Sequence, residues 1–205
     1  MSEKLDLVVA TSNPKKGIEM QTILGDAGWN IRTLAEFPEA DQDVEETGTT
    51  FAENSEIKAR SAASATGKVC IADDGGLCID FLDGQPGVYS KRFLGENVDF
   101  PEKMARILEL MKDVPYEKRT CRFQCLVTIC TPENRTFQVS GVCEGHIGYE
   151  MKGNYGFGYD PLVVVDALQQ HMAELPPSVK HAISHRGSAL AQAKIVLNEL
   201  IKEFK

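Results

Sequence analysis

Asp73 and Asp74 end a short apolar run, Val69-Cys-Ile-Ala72, and are followed directly by Gly75 and Gly76. The run reads as a buried strand that stops at a functional edge, close to Asp73. A carboxylate pair at a strand end suits a hard cation such as Mg2+, which takes oxygen ligands and reaches phosphates. The alternative is a polar turn, since Asp-Gly is a common turn pair.

Four other polar segments share this character. In Thr11-Ser-Asn-Pro-Lys-Lys16, a strand-like run (Leu5–Ala10) precedes and helical spacing (Ile18, Met20, Ile23, Leu24, Ala27) follows, as far as Gly28. Asn13 fits a helix N-cap and Pro14 the first helical position. Lysines in a first turn oppose the helix dipole, which makes sense where phosphates sit on the outward backbone N–H groups. No Walker loop is present. In Glu45 to Arg60, Thr49 or Thr50 caps a helix running to about Ala65, with Asn54 and Lys58 on one face and Glu45 and Glu46 just before it. Gly153-Asn-Tyr-Gly-Phe-Gly-Tyr-Asp-Pro161 alternates glycine with aromatic rings, which lets backbone approach a ligand and offers a face for a base. Lys180-His-Ala-Ile-Ser-His-Arg-Gly187 precedes an amphipathic helix (Leu190, Ala193, Leu197, Leu200, Ile201, Phe204) that Ser184 can cap. Each segment alone also fits a solvated loop or surface.

In this order the segments resemble the inosine triphosphate pyrophosphatase family, the Ham1-like enzymes that act on non-canonical purine nucleoside triphosphates. The motifs are Thr11 to Lys16, Glu46 to Asn54 with Lys58, Ala72 to Leu77, Pro86 to Arg92, Gly156 to Pro161 and Ser184 to Gly187, spanning most of the chain. Gly75 stands where the family pattern has serine, which removes a hydroxyl contact and keeps the backbone N–H. The resemblance implies an elongated mixed β-sheet with flanking helices, two lobes around a nucleotide-binding cleft, and a homodimer. It implies Mg2+ as cofactor and hydrolysis of ITP, dITP and XTP to monophosphate and pyrophosphate. Asp74 is then the water-activating base and a metal contact, with Glu46 the second metal carboxylate. Lys16 and Lys58 hold phosphates, and Thr11, Ser12, Asn13 and Gly75 line the nucleotide. Phe157 stacks on the purine, and Gly158, Tyr159 and Asp160 shape its slot. Lys180, His185 and Arg186 meet the base edge, where a cationic donor such as Arg186 rewards a 6-keto group over adenine's amine. Neighbouring strand side chains point to opposite faces, so Asp73 and Asp74 serve differently unless the strand has ended, and Asp73 is left to orient the loop. The rival readings are the Maf-like pyrophosphatases, of other base preference, and a nucleotide sensor without chemistry. The Phe157–Asp160 and Ser184–Gly187 strings speak against the first, and Glu46, Asp74, Lys16 and Lys58 against the second.

The elements that must position these residues alternate. Strands are expected at the N-terminus, near Asn30–Leu34 and into Asp73. Helices are expected over 50–65 and Phe100–Met111. Long strands near 120–130 and 136–147 are joined by a hairpin turn at Thr131–Asn134, and a strand at 162–165 precedes the last helix. That pattern is α/β with a mixed sheet, in one domain or two lobes without a long linker. A net charge of −8 over 205 residues argues against a nucleic-acid partner and fits a small anionic ligand met by local cations. No apolar run approaches a membrane span and no signal-peptide core is seen, so a soluble cytoplasmic protein is the default expectation. The six cysteines contain no C-x-x-C pair and are expected to be reduced, buried thiols. A zinc site drawing on Cys121, Cys125, Cys143 and His146 is the minor alternative.

Overall fold

The computed structural model describes residues 4–40 and 44–204. Among them, seven strands form one sheet in the order β2-β1-β3-β4-β5-β6-β7. β1 (Asp6–Val9) pairs in parallel with β2 (Asn30–Thr33) and β3 (Val69–Ile79). β4 (Thr120–Cys130) and β5 (Thr136–Ile147) form the expected hairpin, with Asn134 at φ 67° in its turn. β6 (Val163–Val165) is antiparallel to both β5 and β7 (Gln170–His171). The mixed α/β sheet read from the sequence is the one observed.

The chain divides into two compact units. Unit 1 holds residues up to Asp74, Cys125–Gly141 and Arg186 onward; unit 2 holds Gly75–Gln124 and Val142–His185. In unit 1, α1 (Pro14–Leu24) and α5 (His185–Phe204) cover one face of the sheet, burying Met20, Leu24, Ala189, Leu190 and Leu197 against Leu7, Val9, Val69 and Ile71. On the other face α2 (Phe51–Thr66) sets Ala59, Ala62 and Ala63 against Val8, Ala10, Cys70 and Ala72. Alternate residues of β3 thus serve opposite layers, the period of a strand buried on both sides. In unit 2, α3 (Phe100–Leu110) packs Met104 and Ile107 with Leu77, Ile79, Phe123, Leu162 and Val163.

Three expectations need correction. β3 does not stop at the carboxylates but runs on to Ile79. A Cβ at Gly76 would collide with Ser90 Oγ and the Gly87 carbonyl, so this glycine admits the 87–90 turn onto an extended strand. Ser90 Oγ accepts from the Leu77 N–H at 3.1 Å and donates to the Gly87 carbonyl at 2.7 Å, while Leu77 and Ile79 anchor the strand in the core. Packing here overrides the turn preference of Asp-Gly. A short helix, α4 (Pro177–Ile183), precedes Ser184, where the sequence reading places no element. Ile18 points outward at 63% exposure instead of joining the face of α1 that packs.

No described helix is long and apolar enough to cross a membrane. All six cysteines are free thiols, buried except for the half-buried Cys78. Cys121 and Cys143 belong to the core of unit 2 and Cys125 to that of unit 1, while His146 pairs with Asp166 at 2.7 Å. Among the described residues no group of three or more histidine, cysteine or acidic side chains can hold a metal, which removes support for the zinc alternative. Burial pushes the Cys125 thiol up to about 12 and those of Cys70 and Cys143 to about 11. Since thiolate is the reactive form, a disulfide reagent at pH 8 should modify no cysteine rapidly in the folded protein except Cys78, and all six after unfolding in guanidinium. A second fast-reacting thiol in the native protein would contradict this packing.

Candidate functional site

The loop between β1 and α1 is built as a helix start. Asn13, extended at φ −87° and ψ 109°, caps α1 by accepting from the Lys15 and Lys16 N–H groups, and Pro14 begins the helix. Thr11 Oγ1 accepts from the Asn13 N–H at 3.2 Å, which holds Thr11, Ser12 and Asn13 in one turn at the end of β1. Ser12 and Asn13 are exposed, and Lys16 is half-buried.

The second segment is fixed as firmly. Thr50 caps α2 and Glu53 returns the contact in a capping box, with Glu53 also accepting from the Thr49 N–H at 2.7 Å. Asn54 is fully buried, and its Oδ1 accepts from the Gly48 N–H at 2.8 Å. A side chain at Gly48 would strike Asn54 and Glu53, so the loop carrying Glu46 lies flat on the first turn of α2. One turn further along, Lys58 Nζ donates to Glu46 Oε1 at 2.8 Å and lies 3.6 Å from Asp74 Oδ1. One ammonium thereby draws two carboxylates from separate segments together.

The two β3 carboxylates part company, as strand alternation requires. Asp73 faces α1 and α5. Its Oδ2 lies 3.2 Å from Lys16 Nζ and accepts from Arg186 Nε at 3.1 Å and Nη2 at 2.8 Å. Arg186 Nη1 continues to Glu19 Oε2 at 2.7 Å. Asp74 faces α2 and Lys58. Burial alone would push both carboxyls up. At Asp73 the charges of Lys16, Arg186 and Lys58 outweigh it and hold the group far below the usual carboxylate range. At Asp74 burial, aided by Glu46 and Asp73, outweighs Lys58 and Lys16, and the net shift is upward. Lys58 is disfavoured by burial, but Asp74, Asp73 and Glu46 more than restore its charge and raise it.

A divalent cation can be tested against these residues. Asp74 Oδ2 is buried and, like Asp73 Oδ1, meets no hydrogen-bond donor among the described residues. Together with Glu46, which shares Lys58 with Asp74, it offers hard oxygen donors of the kind Mg2+ takes. Two protein carboxylates, with phosphates and water completing the shell, is an ordinary Mg2+ arrangement, so the residues fit the ion.

Unit 2 carries the aromatic motif. Asp160, buried, accepts through Oδ2 from the Phe157 N–H at 2.8 Å and from Lys180 Nζ at 2.7 Å. Lys180 Nζ also lies 4.6 Å from the centre of the Phe157 ring. Gly156 is at φ 74°, and a Cβ there would collide with the Asp160 carboxylate, so only glycine lets the turn close. Phe157, Asp160 and Lys180 thus form one cluster, with Gly158 (φ 66°) beneath it facing Phe100.

The remaining expected residues each have defined surroundings. The Tyr159 ring is core: it is 3% exposed, meets Phe100 edge-on at 5.1 Å and donates to the Ser90 carbonyl at 3.0 Å. These contacts hold the turn that carries Phe157 and Asp160 against the core of unit 2. His185 is buried and stacks on Phe123 at 4.9 Å. Arg186, expected at the base edge, is 2% exposed with its guanidinium committed to Asp73 and Glu19. The reason is electrostatic: a fully buried Asp73 needs more than one cation, and α5 brings Arg186 to it. Gly75 is half-buried within β3. Glu19 was missed. Its only signal is a carboxylate three residues after Lys16 on the helix face that also carries buried Met20. Phe123 gave no signal at all.

Comparison with known proteins identifies the family. The Ham1 family pattern matches residues 7–195. A dITP/XTP pyrophosphatase of Exiguobacterium sibiricum is 44% identical over 199 residues, covering 97% of this chain and all of the relative. The Bacillus subtilis dITP/XTP pyrophosphatase is 42% identical over 192 residues, 94% of this chain and 96% of the relative. Among solved structures, a HAM1 protein from Coxiella burnetii superposes with a TM-score of 0.86 at 41% identity, covering 95% of this chain and 99% of its own.

The buried ion network generates a stability prediction. Removing one partner of a buried ion pair costs about 3–5 kcal/mol, and since Lys16 stays beside Asp73 the loss for Arg186→Ala should lie near the low end, about 3 kcal/mol. Urea unfolding of the variant measures it. A loss below about 1 kcal/mol, the scale of exposed pairs, would show that Arg186 does not carry this network.

Proposed function

We propose that this chain, which belongs to the Ham1 family, hydrolyses non-canonical purine nucleoside triphosphates such as dITP, ITP and XTP to the monophosphate and pyrophosphate. The observation that carries the reading is the union of two carboxylates, Glu46 and Asp74, on Lys58, beside the capped start of α1 with Lys16. It is supported by relatives named dITP/XTP pyrophosphatases that match almost end to end. The substrate is a small molecule, and such an enzyme removes damaged purines from the nucleotide pool. A homodimer in the cytoplasm is the assembly and compartment we infer by family likeness.

The chemistry asks for charge neutralisation and positioning more than for covalent catalysis. The first turn of α1, with its backbone N–H groups, Thr11, Ser12, Asn13 and Lys16, receives the triphosphate. Lys58 neutralises a second part of it. The Gly75 backbone N–H offers one further donor where a serine hydroxyl would otherwise stand. Asp74 takes the proton of a water whose oxygen attacks the α-phosphorus, and the bond to the pyrophosphate oxygen breaks. An upward-shifted carboxylate is a stronger base than an ordinary one. Mg2+, held by Glu46 and Asp74, would supply further neutralisation of phosphate charge. The orphaned Asp74 Oδ2 supports that assignment.

For the base, Phe157 gives a stacking face, with Gly158 and Asp160 shaping the turn and Tyr159 bracing it. Lys180 provides the cationic donor of the cluster, and a 6-keto oxygen accepts where adenine's amine cannot. His185 and Arg186 border the same motif in sequence. Any base contact by Arg186 has to be made while its guanidinium is also held by Asp73 and Glu19.

With Mg2+ present, dITP, ITP and XTP should yield pyrophosphate and monophosphate, and chelation should abolish turnover. Orthophosphate as the first product would sink the reading. Asp74→Asn should lose at least about 10²-fold in kcat while keeping its unfolding midpoint, because the amide retains shape but not basicity. Binding of dITP without any product from the wild-type protein would instead favour a sensor. Lys180→Met should lower kcat/KM for ITP roughly 10-fold or more while changing ATP little, the worth of a charge-assisted hydrogen bond. Equal losses on both nucleotides would take Lys180 away from base selection.

A further inference from the structure

Asp73 has no part in the chemistry described so far, yet three elements of unit 1 meet on it. Its Oδ2 lies 3.2 Å from Lys16 Nζ on α1 and accepts two hydrogen bonds from Arg186 on α5. Arg186 then returns to α1 through Glu19 at 2.7 Å. The circuit closes on the first turns of α1, so the helix that starts the phosphate loop is gripped twice. Asp73 is fully enclosed, and the side chain of Lys16 is only 16% exposed.

We propose that Asp73 is a positioning residue for triphosphate capture, fixing the Lys16 ammonium so that it meets the phosphates already ordered. The inference rests on the reading that Lys16 grips phosphate. An ammonium carries three donors, and one directed at Asp73 leaves two for phosphate oxygens. A free lysine side chain loses much rotamer freedom when a ligand immobilises it, and here that ordering is met on folding. Asp73 does not act as a competitor for the lysine, because Arg186 keeps it paired when Lys16 turns its donors to the ligand. The same arrangement explains why this carboxylate is next to Asp74 in sequence but opposite it in the sheet. One strand position orders the phosphate cation and the next faces Lys58 and Glu46.

The test is a double-mutant cycle read by calorimetric titration with inorganic tripolyphosphate, which lacks a base and reports the phosphate arm alone. Lys16→Met should weaken binding roughly tenfold or more, the worth of a charged hydrogen bond. Asp73→Asn should weaken it several-fold, and the double variant should bind no more weakly than Lys16→Met alone, since the carboxylate acts through the lysine. Losses that multiply, or tighter binding by Asp73→Asn than by the wild type, would overturn the proposal. If Lys16→Met binds like the wild type, the phosphate reading of Lys16 fails and the proposal falls with it, a result distinct from the other two. Should Asp73→Asn alone not fold, the cycle is run in an Arg186→Gln background, where no buried guanidinium is left unpaired, with the same expected and overturning outcomes. A merely structural role would lower the unfolding midpoint without making the affinity loss depend on Lys16.

Discussion

A carboxylate with no access to water survives as an anion only where cations replace its hydration, and Asp73 sets that requirement at the centre of unit 1. Meeting it takes Lys16 from α1 and Arg186 from α5, and Glu19 accepts from the guanidinium nitrogen that Asp73 does not use. The apolar contacts of the same layer, Met20 and Leu24 on one helix and Leu190 and Leu197 on the other, bring both helices down on β3. Hydrophobic burial is indifferent to small rotations of a helix; hydrogen bonds of 2.7–3.1 Å are not. The ionic circuit therefore sets where the start of α1 points, and with it the loop from Thr11 to Asn13.

Much of this was legible in the residues because it is local. Asn13 followed by Pro14, and a threonine at 49 or 50, are caps whose physics involves no more than one helical turn, and Asn13 and Thr50 take those places. The hairpin at Thr131–Asn134 is likewise decided by its own turn residues, with Asn134 accepting the left-handed conformation. The carboxylates and lysines were recognisable as a set because their types suit phosphate and metal chemistry wherever the fold delivers them.

What the residues did not disclose depends on distant partners. Asp-Gly-Gly reads as a turn until Ser90 and Gly87, from another segment, close on Gly76 and hold the strand extended. Tyr159 reads as an exposed ring beside Phe157 until Phe100 and the Ser90 carbonyl claim it for the core. Arg186 reads as a free cation at a helix start until a fully buried aspartate over a hundred residues away in sequence needs a counter-charge. Glu19 becomes meaningful only after Arg186 is in place. In each case the missing knowledge is the identity of the neighbour, which periodicity and propensity do not contain.

Strand alternation turns this into a functional division. Val69, Ile71 and Asp73 face α1 and α5, whereas Cys70, Ala72 and Asp74 face α2. Two identical side chains in adjacent positions thereby enter opposite electrostatic surroundings. Lys16, Arg186 and Lys58 together overcome desolvation at Asp73, with two Arg186 N–H groups on its Oδ2, and leave an anion with little basicity. Lys58, shared with Glu46, and Lys16 do not overcome it at Asp74, which keeps the higher proton affinity. A base must hold protons more readily than an ordinary carboxylate, and an organising anion must not hold them at all. With the roles proposed for Asp74 and Asp73, the pleat of one strand meets both demands with consecutive aspartates, and exchanging them would require a shift of β3 by one residue, which would also turn every apolar side chain on it to the wrong layer.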